Sequence, residues 1–170
     1  FCKANVVPVG RDQLPHLEQT RVIARRFNDR YAPVFPEPGA LLSEAPLILG
    51  TDGTKMSKSK GNVVELRMSA DETAKKLKGA KTDSDRVITY DPDHRPEVAN
   101  LLTLIGLCEG VDPAAVAEEI GDGGGGALKG RLTDAINTEL APLRARRAEL
   151  EADPGYLDDV LRRGNERANE

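Results

Sequence analysis

The fold is decided by residues 5–31, which read NVVPVGRDQLPHLEQTRVIARRFNDRY. The first five residues are a short β-branched run that ends at Gly10, as a buried parallel strand does near its carboxyl end. From Leu14 to Tyr31 the apolar residues recur with helical spacing, and Pro15 falls in the first turn, where a missing N–H does no harm. A strand, a glycine, a polar pair and a helix form a βα unit, so the sequence predicts an α/β fold with a parallel sheet.

The residues that follow, up to position 81, continue this α/β pattern. Three prolines predict a loop between residues 33 and 38, and the apolar residues 47–49 predict a short strand after Pro46. A helix is predicted between Ser69, as its N-cap residue, and Gly79, with Glu72 completing a capping box. We therefore assign residues 1–81 to one domain.

Only helices are predicted after Thr82. They begin near Pro96, Pro113, Leu128 and Tyr156, and residues 123–126, all glycine, predict a flexible break or a tight loop before the third of them. Pro142 lies within that third helix, where it predicts a bend or a turn. Residues 82–170 are therefore predicted to form an all-α domain.

Composition and charge exclude several classes of protein. The chain of 170 residues carries 24 Lys+Arg and 28 Asp+Glu, a net charge of -4, which disfavours a uniformly basic nucleic-acid-binding surface but leaves room for a local basic patch. No apolar run approaches the roughly 18 residues of a membrane span, and no basic segment with an apolar stretch opens the chain. Cys2 and Cys108 have neither metal-ligand nor disulfide-framework spacing. We expect a soluble protein of a reducing compartment with no metal site, and, because Phe1 precedes a strand at once, a fragment cut inside a domain.

The strongest chemical signal is the segment Lys55-Met56-Ser57-Lys58-Ser59, which Lys60-Gly61-Asn62 follows; we call residues 55–62 the lysine loop. Three lysines within six residues, with serine hydroxyls and exposed N–H groups, suit a triphosphate whose leaving pyrophosphate gains charge in the transition state. A mobile loop of this kind can close on ATP and reopen for product release. The alternative is a solvated lysine-rich loop with no ligand.

A second candidate site lies where the first predicted strand ends. Gly10 allows a nucleotide to approach the backbone closely, and ligands of open α/β sheets bind beyond the carboxyl ends of the strands. Asp12 offers two acceptor oxygens for ribose hydroxyls, and Gln13 offers a donor and an acceptor for a small polar group. The alternative for Asp12 is that it caps the following helix.

These segments together resemble one family. Residues 55–59 resemble the second signature of the class I aminoacyl-tRNA synthetases, and residues 7–13, with His16-Leu17-Glu18 after them, are similar to the tryptophanyl-tRNA synthetase pattern. Segments 89–92, 95–96 and 100–102 are also similar to that family, so the resemblance covers most of the chain, as the second half of a longer enzyme. Tyrosyl enzymes share a Gly-x-Asp-Gln core, but they usually precede it with another glycine and lack the Val-Pro-Val strand.

The resemblance implies a fold and a set of roles. The α/β part would be the second half of a Rossmann-like catalytic domain, and the helical part would bind the tRNA anticodon. Lys55 and Lys58 would be catalytic, by stabilising the leaving pyrophosphate of ATP that is bound with Mg²⁺. The family further implies that ATP is bound by Gly10, Arg11, Asp12, Leu47, Lys55, Met56, Ser57, Lys58 and Ser59, and tryptophan by Val7, Val9 and Gln13.

The resemblance also implies partners and a location. Family enzymes are cytoplasmic homodimers, and the helix at residues 14–31 is a candidate part of the dimer interface. Arg144, Arg146 and Arg147 are candidates for contact with tRNA phosphates; the alternative is a solvated face paired with Glu149 and Glu151. His16 and His94 are expected to be structural, and the aspartates at 83, 91 and 93 lack the spacing of a calcium loop.

Two features limit the predicted activity. The other class I signature, two histidines separated by two residues, is absent from a chain with two distant histidines, and the acidic residue that reads the indole N–H is expected before Phe1. The 170-residue chain alone is therefore expected not to activate tryptophan. Arg11 replaces the acidic residue usual in bacterial members of the family, which favours a paralogue with altered substrate handling. The Arg11 side chain is expected either to reach a phosphate or ribose or to face water. Two alternatives remain. One is a tyrosyl enzyme, and the other is a non-catalytic paralogue or fragment that binds nucleotide, tRNA or a partner protein.

Overall fold

The chain folds as two compact units, Phe1–Ile48 and Leu49–Glu170, in a computed structural model that describes residues 3–43, 45 and 47–169. This division concerns packing within the chain. The boundary predicted after residue 81 separates two functional domains, which a division by packing does not test, so it stays a prediction. Cys2 and Pro46, which entered the sequence interpretation, lie outside the described residues.

The first unit is a βαβ arrangement. Strand β1 (Val6–Pro8) leads through a 3-10 turn (Arg11–Gln13) into helix α1 (Leu14–Arg30), and strand β2 (Gly39–Leu41) follows. The two strands pair in parallel, with Val6 opposite Gly39 and Pro8 opposite Leu41. The predicted parallel strand and the predicted helix, with Pro15 in its first turn, are confirmed.

Two details of the predicted sheet are wrong. No strand forms at residues 47–49; only Leu49 makes an isolated antiparallel bridge, to Lys55, and the second strand lies instead at β2, directly after the loop predicted at residues 33–38. Strand β1 is not buried either, since Val6 is 56% exposed. A sheet of two short strands with one neighbouring helix does not cover both faces of β1, as a larger parallel sheet would.

The connection between α1 and β2 is held by the side chain of Asn28. Its Oδ1 accepts the N–H groups of Val34 (2.9 Å) and Phe35 (3.0 Å), and its Nδ2 donates to the carbonyl oxygen of Phe35 (2.7 Å). The predicted apolar stripe of α1 is only partly used, because Leu17 and Ala24 are buried whereas Ile23 and Tyr31 are exposed.

The second unit is helical. It contains α2 (Ala70–Lys78), α3 (Pro96–Glu109), α4 (Pro113–Ile120), α5 (Gly124–Glu151) and α6 (Pro154–Asn169). The predicted capping box of α2 is present, since the Ser69 hydroxyl accepts from Glu72 N–H (3.2 Å) and the Glu72 carboxylate accepts from Ser69 N–H (2.8 Å). The core is formed mainly by buried residues of α2–α5, among them Leu77, Val98, Leu102, Ile105, Val116, Leu128 and Leu132.

Helix α5 starts earlier than predicted. The glycines at 124–126 were expected in a break or loop, but they form its first turn. A Cβ on Gly125 would lie 3.0 Å from Thr82 Oγ1, so the missing side chain lets this turn pack close to Thr82. The turn predicted as one alternative at Pro142 is also wrong, because the helix continues through this residue. Packing of the helix against the core outweighs these local preferences.

One observation concerns membrane spans. Among the described residues no single helix has the length and apolar composition needed to cross a membrane. The pair α3 and α4, which is bent by 108°, meets that criterion only when both helices are counted together.

Candidate active site

The lysine loop begins and ends at neighbouring points of the second unit. Gly50 N–H donates to the carbonyl oxygen of Thr54 (2.8 Å), and Thr51 N–H donates to that of Asn62 (2.9 Å). Leu49 bridges Lys55 in antiparallel fashion, and a 3-10 turn at Lys58–Lys60 closes the far side. The segment is therefore an ordered loop with a narrow base.

Asn62 is the polar centre of this loop. It is 3% exposed, and its Oδ1 accepts the N–H of Ser57 (2.8 Å). Its Nδ2 donates to Asp52 Oδ1 (2.8 Å) and to the carbonyl oxygen of Lys55 (3.1 Å), with a longer contact to Thr54 Oγ1 (3.3 Å). One side chain thus holds peptide groups on both sides of Met56.

Asp52 receives hydrogen bonds that stabilise its charged form. Asn62 Nδ2 is the strongest donor, and the N–H and hydroxyl of Thr54 also donate to the carboxylate, at 2.9 and 3.0 Å. These bonds lower the pKa of Asp52 from 3.8 to about 2. The carboxylate is therefore ionised, and a pure acceptor, at neutral pH.

The close approach of Asn62 to the loop base requires a glycine at position 50. A Cβ there would lie 2.3 Å from Asn62 Nδ2 and 2.9 Å from its Cβ, closer than non-bonded atoms approach. Gly50 therefore leaves the space that Asn62 fills.

Helices α2 and α3 fix the base of the loop. Asn100 of α3 accepts Leu49 N–H at Oδ1 (2.8 Å) and donates from Nδ2 to the Leu49 carbonyl oxygen (3.3 Å). Lys81 N–H donates to the Thr51 carbonyl oxygen (2.7 Å), and the Lys81 ammonium pairs with Glu97 of α3 (2.7 Å). Lys76 of α2 donates to the carbonyl oxygen of Gly61.

The loop presents cationic and hydroxyl groups at the surface. Lys55, Lys58, Lys60 and Met56 are exposed, and the hydroxyls of Ser57 and Ser59 lie 2.8 Å apart. Lys60 donates to Thr54 Oγ1 (3.2 Å). An exposed set of ammonium and hydroxyl groups on a fixed backbone is suited to bind a polyphosphate.

The second predicted site lies at the end of β1, in the first unit. Val9 N–H donates to the Leu41 carbonyl oxygen (3.0 Å), and Gln13 N–H donates to that of Gly10 (3.0 Å). The side-chain amide of Gln13 donates to Asp12 Oδ2 (3.0 Å), and Gln13, not Asp12, is the N-cap residue of α1. A surface cleft of about 510 Å³ is lined by Pro8, Val9, Gly10, Leu41, Leu42 and Ser43.

The remaining predicted residues of this unit have different environments. Val7 is half-buried in β1, whereas Arg11, Asp12, Gln13 and Leu47 are exposed. The structure therefore brings Val9 and Gly10 to one cleft and places Arg11, Asp12 and Gln13 together in the adjoining turn.

The three arginines predicted to contact tRNA fall into two kinds. Arg144 donates to the Met68 carbonyl oxygen (2.8 Å), to Asn137 Oδ1 (2.9 Å) and to the buried Thr73 Oγ1 (2.9 Å), and so ties α5 to α2. Arg146 pairs with Glu149 (2.7 Å) and Arg147 with Glu151 (2.6 Å) on the exposed side of α5. This geometry favours a structural role for Arg144, and it agrees with the alternative of a solvated, paired face for the other two.

Other titratable groups serve local structure. Arg95 makes a bidentate contact with Asp83 (both 2.7 Å) and donates to the Val87 carbonyl oxygen (2.8 Å), and its guanidinium lowers the pKa of Asp83. His94 Nδ1 lies 2.9 Å from Asp91 Oδ2.

In the described ranges no group of three or more His, Cys, Asp or Glu side chains is arranged to hold a metal ion. Cys108 is partly buried, and burial raises the pKa of its thiol.

The sequence interpretation missed three residues that organise the lysine loop. Asn62 was recognised only as a loop residue, Asp52 was not singled out, and Asn100 entered only as part of a resemblance. A signal for the first two existed, because both stand next to a glycine and flank the lysine-rich segment.

Comparison with known proteins connects both segments to one family. A family model described as "tRNA synthetases class I (W and Y)" matches residues 1–141. A tryptophan–tRNA ligase from Thermosynechococcus vestitus is 44% identical over 97% of this chain and 53% of its own length. A tryptophan–tRNA ligase from Nostoc sp. is 42% identical over 98% of this chain and 52% of its own length. The chain spans about half the length of the curated relatives it matches.

A solved structure of a tryptophanyl-tRNA synthetase is also similar to this chain. The crystal structure of tryptophanyl-tRNA synthetase from Campylobacter jejuni, complexed with ADP and tryptophan, matches with a TM-score of 0.67 and 29% identity, over 98% of this chain and 52% of the other. These relatives favour neither the tyrosyl nor the non-catalytic alternative. Because the family model matches most of its 170 residues, this chain belongs to the class I tRNA synthetases of the tryptophan and tyrosine group.

Proposed function

We propose that the full-length protein that contains this chain is a tryptophan–tRNA ligase, which forms tryptophanyl-adenylate from ATP and then charges tRNA. The observation that carries the proposal is the lysine loop, in which Lys55 and Lys58 are exposed on a backbone fixed by Asn62. The names of the relatives support tryptophan as the amino acid. Residues 1–81 would belong to a Rossmann-like catalytic domain and residues 82–170 to a helical tRNA-binding domain.

The first step needs no general base. The carboxylate of tryptophan is ionised at pH 7 and attacks the α-phosphorus of ATP. A carboxylate O–P bond forms while the bond from the α-phosphorus to the bridging oxygen breaks, and pyrophosphate leaves with both electrons of that bond. Lys55 and Lys58 would stabilise the charge that develops on this pyrophosphate, and Mg²⁺ would enter with ATP as part of the substrate.

The remaining contacts with the substrates would come from residues of the first unit. Gly10, Asp12 and the backbone of Leu47 would bind the adenosine, and Arg11 would reach ribose or phosphate. Gln13, with Val7 and Val9, would bind tryptophan. The second step transfers the aminoacyl group to a terminal hydroxyl of the tRNA and releases AMP.

The partners of the whole protein are proposed on the same basis. tRNA would bind the helical part, where Arg146 and Arg147 keep the exposure that phosphate contacts need. A homodimer and a cytoplasmic location follow from the family resemblance.

Alanine substitution of the loop lysines tests the proposal. In the full-length protein, Lys58→Ala or Lys55→Ala should slow adenylate formation in single turnovers by about 10²–10³-fold, because each removes a donor to a developing charge. Tryptophan affinity should change less than about twofold, since that site uses other residues. Lys75→Ala, an exposed lysine of α2, is the matched control and should leave the rate unchanged. Normal adenylate formation by both loop variants would contradict the proposal.

A further inference from the structure

We propose that Asn62, oriented by Asp52, is a positioning residue that fixes the backbone of the lysine loop and thereby determines where Lys55 and Lys58 meet the triphosphate. This inference rests on the proposed function, because it concerns the phosphate-binding step of that reaction. Neither residue is itself proposed to touch ATP.

Asn62 forms hydrogen bonds with the backbone between Lys55 and Lys58. The Lys55 carbonyl oxygen and the Ser57 N–H belong to the peptide groups on either side of Met56, and both bond to this one amide. Ser57 in turn leads directly into the 3-10 turn that begins at Lys58. Loss of the amide would therefore release the chain between the two lysines.

Asp52 determines the orientation of the Asn62 side-chain amide. An ionised carboxylate only accepts hydrogen bonds, so it holds the Nδ2 side of Asn62 at 2.8 Å. The Oδ1 side must then face the Ser57 N–H. A rotated amide would place oxygen against the carboxylate and against the Lys55 carbonyl oxygen, and would leave Ser57 N–H without its acceptor.

The interaction partners of Asn62 argue for a role beyond general stability. Within the described part of the chain, its hydrogen bonds go to residues 51–57, in or beside the loop, and none goes to the helices that form the core. Because a misplacement of about 1 Å can cost about 10²-fold in rate, fixing this backbone has a direct consequence for catalysis.

The experiment compares three loop variants of the full-length protein by tryptophan-dependent ATP–pyrophosphate exchange. Asn62→Ala should lower kcat about 10²-fold while KM for tryptophan stays within about twofold. Asn62→Asp should be at least as severe, since it places a second carboxylate beside Asp52. The exchanged pair Asp52→Asn with Asn62→Asp restores a donor–acceptor contact and keeps an acceptor for Ser57 N–H, so it should recover about tenfold over Asn62→Asp.

Asn28→Ala is the matched control. Asn28 also holds a loop through two N–H groups and one carbonyl oxygen, but it belongs to the first unit and has no proposed part in catalysis. Its kcat should stay within about twofold of wild type, even if its melting temperature falls as much as that of Asn62→Ala.

Amide hydrogen exchange of peptides covering residues 54–60 gives a readout that is independent of activity. Asn62→Ala should speed exchange there, because Ser57 N–H loses its acceptor. Unchanged exchange in this segment, or a kcat for Asn62→Ala no lower than that of Asn28→Ala, would overturn the inference. If wild type shows no tryptophan-dependent reaction, the proposed function fails, and the comparison of amide exchange then decides by itself whether Asn62 fixes the loop.

Discussion

Substitution of Arg144 by methionine tests whether this side chain is part of the framework or part of an RNA-binding surface. The variant keeps a long aliphatic side chain but loses three hydrogen bonds of 2.8–2.9 Å. Two of them join α5 to Met68 and to Thr73 of α2, and the third, to Asn137, lies within α5. At about 1 kcal/mol net for each bond, the free energy of unfolding should fall by about 3 kcal/mol. Thr73 is fully buried, so water cannot easily replace the donor that its hydroxyl oxygen loses.

The assay is urea unfolding of the full-length protein, together with filter binding of tRNA to the folded fraction. Arg146→Met is the matched control, because Arg146 makes only an exposed pair with Glu149 and should cost at most about 0.5 kcal/mol. For Arg144→Met, tRNA affinity of the folded protein should change less than about twofold. A variant as stable as wild type that binds tRNA tenfold more weakly would refute the structural role and restore Arg144 as a phosphate contact.

Two further predictions concern stability. Gly50→Ala should lower the free energy of unfolding by about 1–3 kcal/mol, because the added Cβ would lie 2.3 Å from the Asn62 side chain. Gly130→Ala, in open space within α5, should raise it by up to about 1 kcal/mol. Equal effects of the two substitutions in urea unfolding would contradict the packing described. The pKa of Asp83 is lowered by its hydrogen bond with Arg95, so this pair should stabilise the fold above about pH 4 and lose that contribution as the pH falls further. Asp83→Asn should therefore show a shallower loss of stability below about pH 4, and an unaltered slope would show that the pair contributes nothing there.

The helices were predictable because their signals are local. The capping box of Ser69 and Glu72, Pro96 at the start of α3, and Asp112 before α4 each specify a helix end within a few residues of sequence. The beginning of α5 was not predictable in this way, because its first turn consists of glycines, and the close approach of Gly125 to Thr82 involves a residue more than forty positions earlier.

The strand and the loop anchors depend on contacts that no local pattern encodes. Gly39–Leu41 becomes a strand through pairing with Val6–Pro8, on the other side of a whole helix. The lysine loop was recognisable from its residues, but the role of Asn62 depends on hydrogen bonds to backbone groups that have no periodicity. Similarly, Arg144 belongs to a basic cluster in the sequence, and only its three acceptors distinguish it from its neighbours.

The most direct test of the proposed function is ATP–pyrophosphate exchange by the full-length protein, with tryptophan and tyrosine supplied separately. We expect exchange that depends on tryptophan and is absent with tyrosine, because the relatives at 42–44% identity are tryptophan–tRNA ligases. Exchange with tyrosine would contradict the assignment of the amino acid. Absence of exchange with either, in a protein that still binds ATP, would contradict the assignment as a ligase.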